Sequence, residues 1–323
     1  MSKTPDSSIS AIDPEVAVKL SPVAIPKPWG QEIWYTGIEA RGESQVELED
    51  ESVPLSDYLA SVSLDEVLLL KVLDPSPTPV LGDLYVEVHE EKREVYVVTA
   101  VDLGAWPDGS GKIRFGLNQA LRATFPSDEA FRSAYLDAIQ AYESVRRAID
   151  EQGQALEQEE LAARAAMEAF SVLEDLEVGD VVTVPTWTPH SLQHGVRVVE
   201  FQTPVYERLI VSFAQEVVTQ DHWDSQQAVE RMHLDAPESS TFERVAEGIE
   251  RVARFEDFNV WRVRSKEPVN LPADLPYAVV MNLSDTLTIG DLNLDIEEAA
   301  LIPKRALAKP INGHQFLIAA PGL

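Results

Sequence analysis

The sequence predicts a mainly β protein: a barrel of short strands carrying a helical insertion, followed by a second strand-rich block. Three observations carry this expectation. Alternating or β-branched apolar segments dominate residues 67–99 and 176–213. Between them, from Asn118 onward, the apolar spacing changes to three and four residues. Beyond about 257 short apolar runs return, punctuated at Asn282, Gly290–Asp291 and Asn312–Gly313. Strands, helices and strands in separate blocks argue against a parallel βαβ sheet.

The elements follow in order. Residues 1–20 are polar and carry Pro and Ser, and are expected to be a flexible leader. AIPKPWGQEIWYTG (24–37) is broken by Pro26, Pro28 and Gly30 before a short strand at Ile33–Tyr35. A helix is expected to start at Leu55, with Ser56 and Asp57 available to cap it. VLLLKVLD (67–74) is a nearly continuous apolar run, LYVEVHEE (84–91) alternates sharply, and EVYVVTAVDL (94–103) is rich in β-branched residues. After Pro126–Ser127 the spacing of Phe131, Tyr135, Ile139, Tyr142, Val145 and Ile149 predicts an amphipathic helix ended by Gly153. A second, Ala-rich helix is expected from about Leu156 to Phe170. Strands resume in 176–192 and 197–213, and a polar connection spans about 216–255. The expected domains are 21–117 with 172–215 as the metal-binding barrel, 118–171 as the helical insertion, and 216–323 as the connection and a β-domain without metal ligands.

Composition narrows the function. Lys+Arg 26 against Asp+Glu 55 gives a formal net charge of -29. Such a field repels nucleic acid and anionic membrane, so neither is an expected partner. No signal peptide or membrane-spanning run is apparent, and a cytoplasmic location is the expectation. With no cysteine in the chain, disulfides and thiolate metal sites are excluded, so a metal must be held by His, Asp, Glu or neutral oxygens.

Glu87 and His89 are two apart in a strand and so share a face, turned either into the barrel or outward to solvent. A tight polar turn over 90–93 is expected to make a hairpin that returns Glu94 beside His89. In GDVVTVPTWTPHSL (179–192), Pro189 fixes the approach to His190. Two imidazoles and two carboxylates suit a divalent Zn, Mn, Fe or Co ion. Of the other histidines, His194 is expected to satisfy a turn, and His222 and His233 to be exposed. Arg146 and Arg147 are expected on the solvated face of their helix, and Trp29 and Trp34 in the core.

These residues carry a resemblance. Gly82, Glu87, His89, Glu94, Gly179, Pro185 and His190 follow the two-part cupin motif. KPWG (27–30), LLLKVLD (68–74), VEVHEE, KREVYVV (92–98), VPTWTPHSL, VVEFQ (198–202) and YERL (206–209) resemble, in order, segments of the class I mannose-6-phosphate isomerases. The resemblance implies a cupin (jelly-roll) barrel with a second, degenerate cupin-like C-terminal domain, one divalent ion (zinc first), and interconversion of mannose 6-phosphate and fructose 6-phosphate by a monomer or homodimer. It places Glu87 at the family's Gln ligand position and leaves His89, Glu94 and His190 unchanged. It makes Arg208 the active-site arginine, Lys92 a catalytic and phosphate-contacting lysine, and Glu200 the acidic residue near the reacting centre. Arg93 and Lys71 would assist at the phosphate. Tyr85 stands where the family has a phosphate-binding Ser, and Trp187 where it has a small Gly. An isomerase of another, unphosphorylated sugar and a non-catalytic sugar-binding cupin are the alternatives.

Overall fold

The computed structural model describes residues 13–49, 51–214 and 223–322; the expectations for residues 1–12 and His222 lie outside these. The chain is mainly β and divides into two compact units.

One unit comprises residues 26–32 and 72–240. Its first sheet runs Val181–Val184, Glu94–Val101, Val196–Gln202 and then Leu69–Pro75, the last entering this unit at Val72. Its second runs Ser171–Leu176, Gly111–Leu117, His190–Leu192, Val86–Val88 and Leu209–Ser212. Register decides which side chains turn inward. Glu94, Tyr96 and Val98 lie opposite Gln202, Glu200 and Val198. On the other sheet His190 lies opposite both Glu87 and Phe115, so the three share a face. One apolar core joins Tyr96, Val98, Ile113, Phe115, Leu192 and Val198.

The hairpin expected between His89 and Glu94 is not formed. The two residues' strands belong to different sheets, and residues 90–93 carry the chain across. The Glu207 carboxylate holds that crossing by accepting the Glu91 and Lys92 N–H groups, each at 3.0 Å.

The helical insertion packs onto this core as two helices, Asp128–Gln152 and Glu157–Glu168. Ser127 caps the first by accepting the Ala130 N–H at 3.2 Å, and Gly153 ends it at φ 64°, where a side chain would be strained. Phe131, Tyr135, Ile139 and Tyr142 are buried as the spacing requires. Arg146 is buried too, against the expectation of a solvated face, and bonds Asp150 at 2.5 Å one turn on.

The other unit comprises residues 1–25, 33–71 and 241–323. Its nine-stranded sheet joins Val18–Ser21, Gln45–Glu47 and Ser52–Pro54 to the C-terminal strands through pairing of Val18–Ser21 with Ala299–Pro303. Within residues 33–71 it is Gln45–Glu47 and Ser52–Pro54 that extend this sheet, whereas Leu69–Pro75 pairs in the sheet that carries Glu94. Val18–Ser21, within the segment expected as a leader, is strand. The helix Leu55–Ser61 follows Pro54 with no side-chain cap; the Ser56 N–H donates instead to Glu43 Oε1 at 2.9 Å.

Candidate metal centre

Glu87, His89 and His190 present donor atoms within 4.8 Å of one another. His89 Nε2 and His190 Nε2 lie 3.9 and 4.0 Å from Glu87 Oε1. Glu94 completes the group from the opposite sheet, with Oε1 3.3 Å from His89 Nε2 and Oε2 3.1 Å from His190 Nε2. The sequence-predicted set of four thus converges. Only Glu87 is open to solvent, with 15% of its side chain exposed against 1% or less for the other three.

The outer partners determine which imidazole nitrogen is available. His89 Nδ1 donates to the Glu207 carbonyl at 3.1 Å, and His190 Nδ1 to the Thr188 carbonyl at 2.9 Å. A carbonyl can only accept, so both rings carry a proton on Nδ1; His89 turns its Nε2 inward, and His190 Nε2 donates to Glu94 Oε2 a proton that a metal ion would replace. Backbone carbonyls commonly orient metal-binding imidazoles in this way. Two buried atoms, Glu87 Oε2 and His89 Nε2, have no hydrogen-bond partner, which burial makes costly. Four donors about 2.0–2.2 Å from a central ion in tetrahedral arrangement stand about 3.3–3.6 Å apart. Glu87, His89 and His190 offer three mutually close donors that suit a divalent ion, and the two Glu94 oxygens lie beside the two imidazoles, one at each ring.

The surrounding charges favour ionised carboxylates. Burial opposes the charge on Glu94, but Lys92, His89 and His190 hold its carboxyl well below the usual range. Burial likewise opposes Glu87, which His89, Lys92, Arg208 and His190 hold low. His89 is lowered by burial and by Lys92, whereas His190, despite burial, is raised by its bond to Glu94. Burial and the carboxylates of Glu94, Glu200 and Glu87 push the Tyr96 hydroxyl well above the phenol range. It remains a donor to Glu94 Oε2, at 2.6 Å.

The residues expected at the substrate are placed as follows. Lys92 is buried with Nζ 2.6 Å from Glu94 Oε1. Burial works against its charge, but Glu94, Glu87 and Glu200 raise its pKa and keep it protonated. Glu200 is buried directly opposite Tyr96. Arg208 is exposed, its guanidinium 5.1 Å from the ring centre of Tyr85. Tyr85 is buried edge-on to Phe213, with 4.6 Å between ring centres. The Arg93 backbone N–H donates to Thr203 Oγ1 at 3.1 Å. Lys71 belongs to the other unit, buried with its ammonium over Trp34. Sequence reasoning missed Tyr96, Glu207 and Thr188. Period-two counting from Glu94 reaches Tyr96, but backbone-carbonyl acceptors leave no mark on residue type.

No family model matches the sequence, and no curated protein matches it. Solved structures do. The mannose 6-phosphate isomerase from Bacillus subtilis superposes with a TM-score of 0.66 at 17% identity, covering 94% of this chain and 99% of that one. A point mutant of phosphomannose isomerase from Salmonella typhimurium gives 0.71 at 13% identity over 95% of this chain and 100% of its own. A zinc-bound mannose 6-phosphate isomerase gives 0.70 at 12% identity, with the same coverage. No helix among the described residues is long and apolar enough to cross a membrane. The chain has the fold of the phosphomannose isomerases.

Proposed function

We propose that this protein is a divalent-metal-dependent aldose–ketose isomerase, and that its reaction interconverts mannose 6-phosphate and fructose 6-phosphate. The observation that carries the reading is the convergence of Glu87, His89, Glu94 and His190, with both Nδ1 atoms tied to backbone carbonyls, in a chain of this fold. A bound ion, zinc by similarity to the zinc-bound relative, would polarise the substrate carbonyl. Glu200 is the candidate base that carries the proton between the two carbons, since it is buried on the same face as Glu94. Arg208 faces solvent beside Tyr85 and is the candidate cation for negative charge developing on the substrate oxygens. Lys92, bonded to Glu94, offsets the charge of the buried carboxylates.

A second reading, isomerisation of an unphosphorylated sugar, is favoured by one observation. Lys92, expected at the phosphate, is committed to Glu94, and Tyr85, at the expected phosphate-binding position, is packed between Phe213 and Arg208. Turnover of mannose 6-phosphate by the metal-loaded protein supports the first reading; turnover of free sugars alone supports the second. Metal-loaded protein inert toward both contradicts isomerase function. Glu200→Gln is expected to lower kcat by about 100-fold or more with metal retained; full proton exchange at the substrate's C2 in that variant would exclude Glu200 as the base.

A further inference from the structure

Trp187 adopts φ 60°, the left-handed region in which a bulky side chain is strained and which persists only where the surroundings enforce it. The surroundings here are the two histidines of the metal centre. The Trp187 N–H donates to the His89 carbonyl at 2.7 Å. The next residue, Thr188, supplies the carbonyl that orients His190. On the other side, the Trp187 carbonyl accepts the His233 N–H at 2.8 Å. Over the ring lies the guanidinium of Arg231, 4.0 Å from its centre, and the same guanidinium pairs with Glu90 at 2.7 Å. Glu90 directly follows His89. Arg231 ends the helix Ser225–Arg231, which is fixed to the Leu209–Ser212 strand by Asp224 Oδ2 accepting the Ile210 N–H at 3.0 Å and by Ser225 Oγ donating to the Val211 carbonyl at 2.8 Å.

We propose that Trp187 and Arg231 are positioning residues that fix the segments carrying His89 and His190 to each other, so that the two imidazoles are oriented before the metal arrives. The inference rests on the metal-centre reading above. A glycine at 187 would adopt the same φ without strain and would leave the loop free to move. The backbone bonds at 187 would survive that change; what the ring and its cation add is restriction of the loop, and the ordering cost they remove is otherwise met at metal binding.

The test is equilibrium metal competition together with the visible spectrum of the Co(II)-loaded protein, which reports coordination geometry. Trp187→Gly is expected to weaken Co(II) binding by about tenfold and to alter the spectrum. Trp187→Phe, which keeps a ring face for Arg231, should restore both. Arg231→Ala should give a smaller loss in the same direction, and Arg231→Lys a partial rescue, because the ammonium keeps the charge but not the planar stacking. Wild-type affinity and spectrum in both Trp187→Gly and Arg231→Ala would overturn the proposal. A wild-type protein that binds no Co(II) would instead overturn the metal-centre reading itself. Should Trp187→Gly fail to fold, the Arg231 pair of variants decides.

Discussion

His190 and His194 sit four residues apart, are both buried, and both meet a carboxylate, yet they are built for different purposes. His194 Nδ1 bonds Asp83 Oδ1 at 2.6 Å, and the same oxygen accepts the His194 backbone N–H. Its ring stacks on Trp106 with centres 4.3 Å apart. His190 gives Nδ1 to a backbone carbonyl and turns Nε2 toward Glu94, where His89 and Glu87 converge as well. Where the carboxylate takes Nδ1, as in the His194 pair, the interaction ties a turn to a strand end. When carbonyls take Nδ1 on two rings, both Nε2 atoms are turned toward the same carboxylates, and that point is a candidate ligand site.

The largest effect that would break this comparison is on metal binding. His190→Ala is expected to weaken divalent-ion binding by more than about 100-fold, beyond the usual loss of an outer partner, while His194→Ala leaves it within about twofold. Equal losses in the two variants, read by equilibrium dialysis, would erase the distinction.

Stability should show the reverse. Removing His194 leaves the buried Asp83 without its ring partner and is expected to cost about 1–3 kcal/mol in denaturant unfolding of the metal-free protein. Retention of wild-type stability would show that the pair contributes nothing.

Acidity sharpens the contrast. In the metal-free protein the pKa of His190 is raised, chiefly by its bond to Glu94 against the cost of burial. Its contribution to stability is therefore fully present below the unfolded imidazole pKa and is lost as pH rises through the raised folded value. Metal must displace that proton, so metal affinity should rise across the same window. Unfolding with and without Zn(II) at several pH values should show the metal-dependent stabilisation growing with pH. A metal increment that stays constant from pH 5 to 8 would contradict the assignment.

Smallest is the effect of Ser127→Ala, which removes the cap of the long helix and should cost about 1 kcal/mol with no change in metal affinity. A change in affinity would mean that the helical insertion is coupled to the centre.

Much of the site was legible in the sequence because strand periodicity is two. That rule puts Glu87 on the same face as His190 once their strands pair, and the mixed imidazole–carboxylate set implied a hard or borderline ion. The route by which Glu94 arrives was not legible. Residues 90–93 read as a hairpin turn, but Glu207, more than a hundred residues later, takes two of their N–H groups and directs the chain to the other sheet. The resemblance suggested a phosphate contact for Lys92, but its pairing with Glu94 could not be read from the sequence. The burial of Arg146 was hidden for the same reason: its charge read as a solvated face, and only the fold shows it buried and bonded to Asp150. Of the fold, the strand and helix blocks followed from periodicity. The sheet that joins Val18–Ser21 to Ala299–Pro303 did not, because that pairing spans nearly the whole chain.

The central claim is the four-ligand centre, and metal-edge X-ray absorption on protein dialysed against Zn(II) tests it most directly. The account predicts one ion per chain with only nitrogen and oxygen neighbours at about 2.0–2.2 Å, imidazole scattering from two rings, and loss of one ring's contribution in His89→Ala. Protein that retains no zinc, or zinc whose spectrum is unchanged in His89→Ala and His190→Ala, would contradict it.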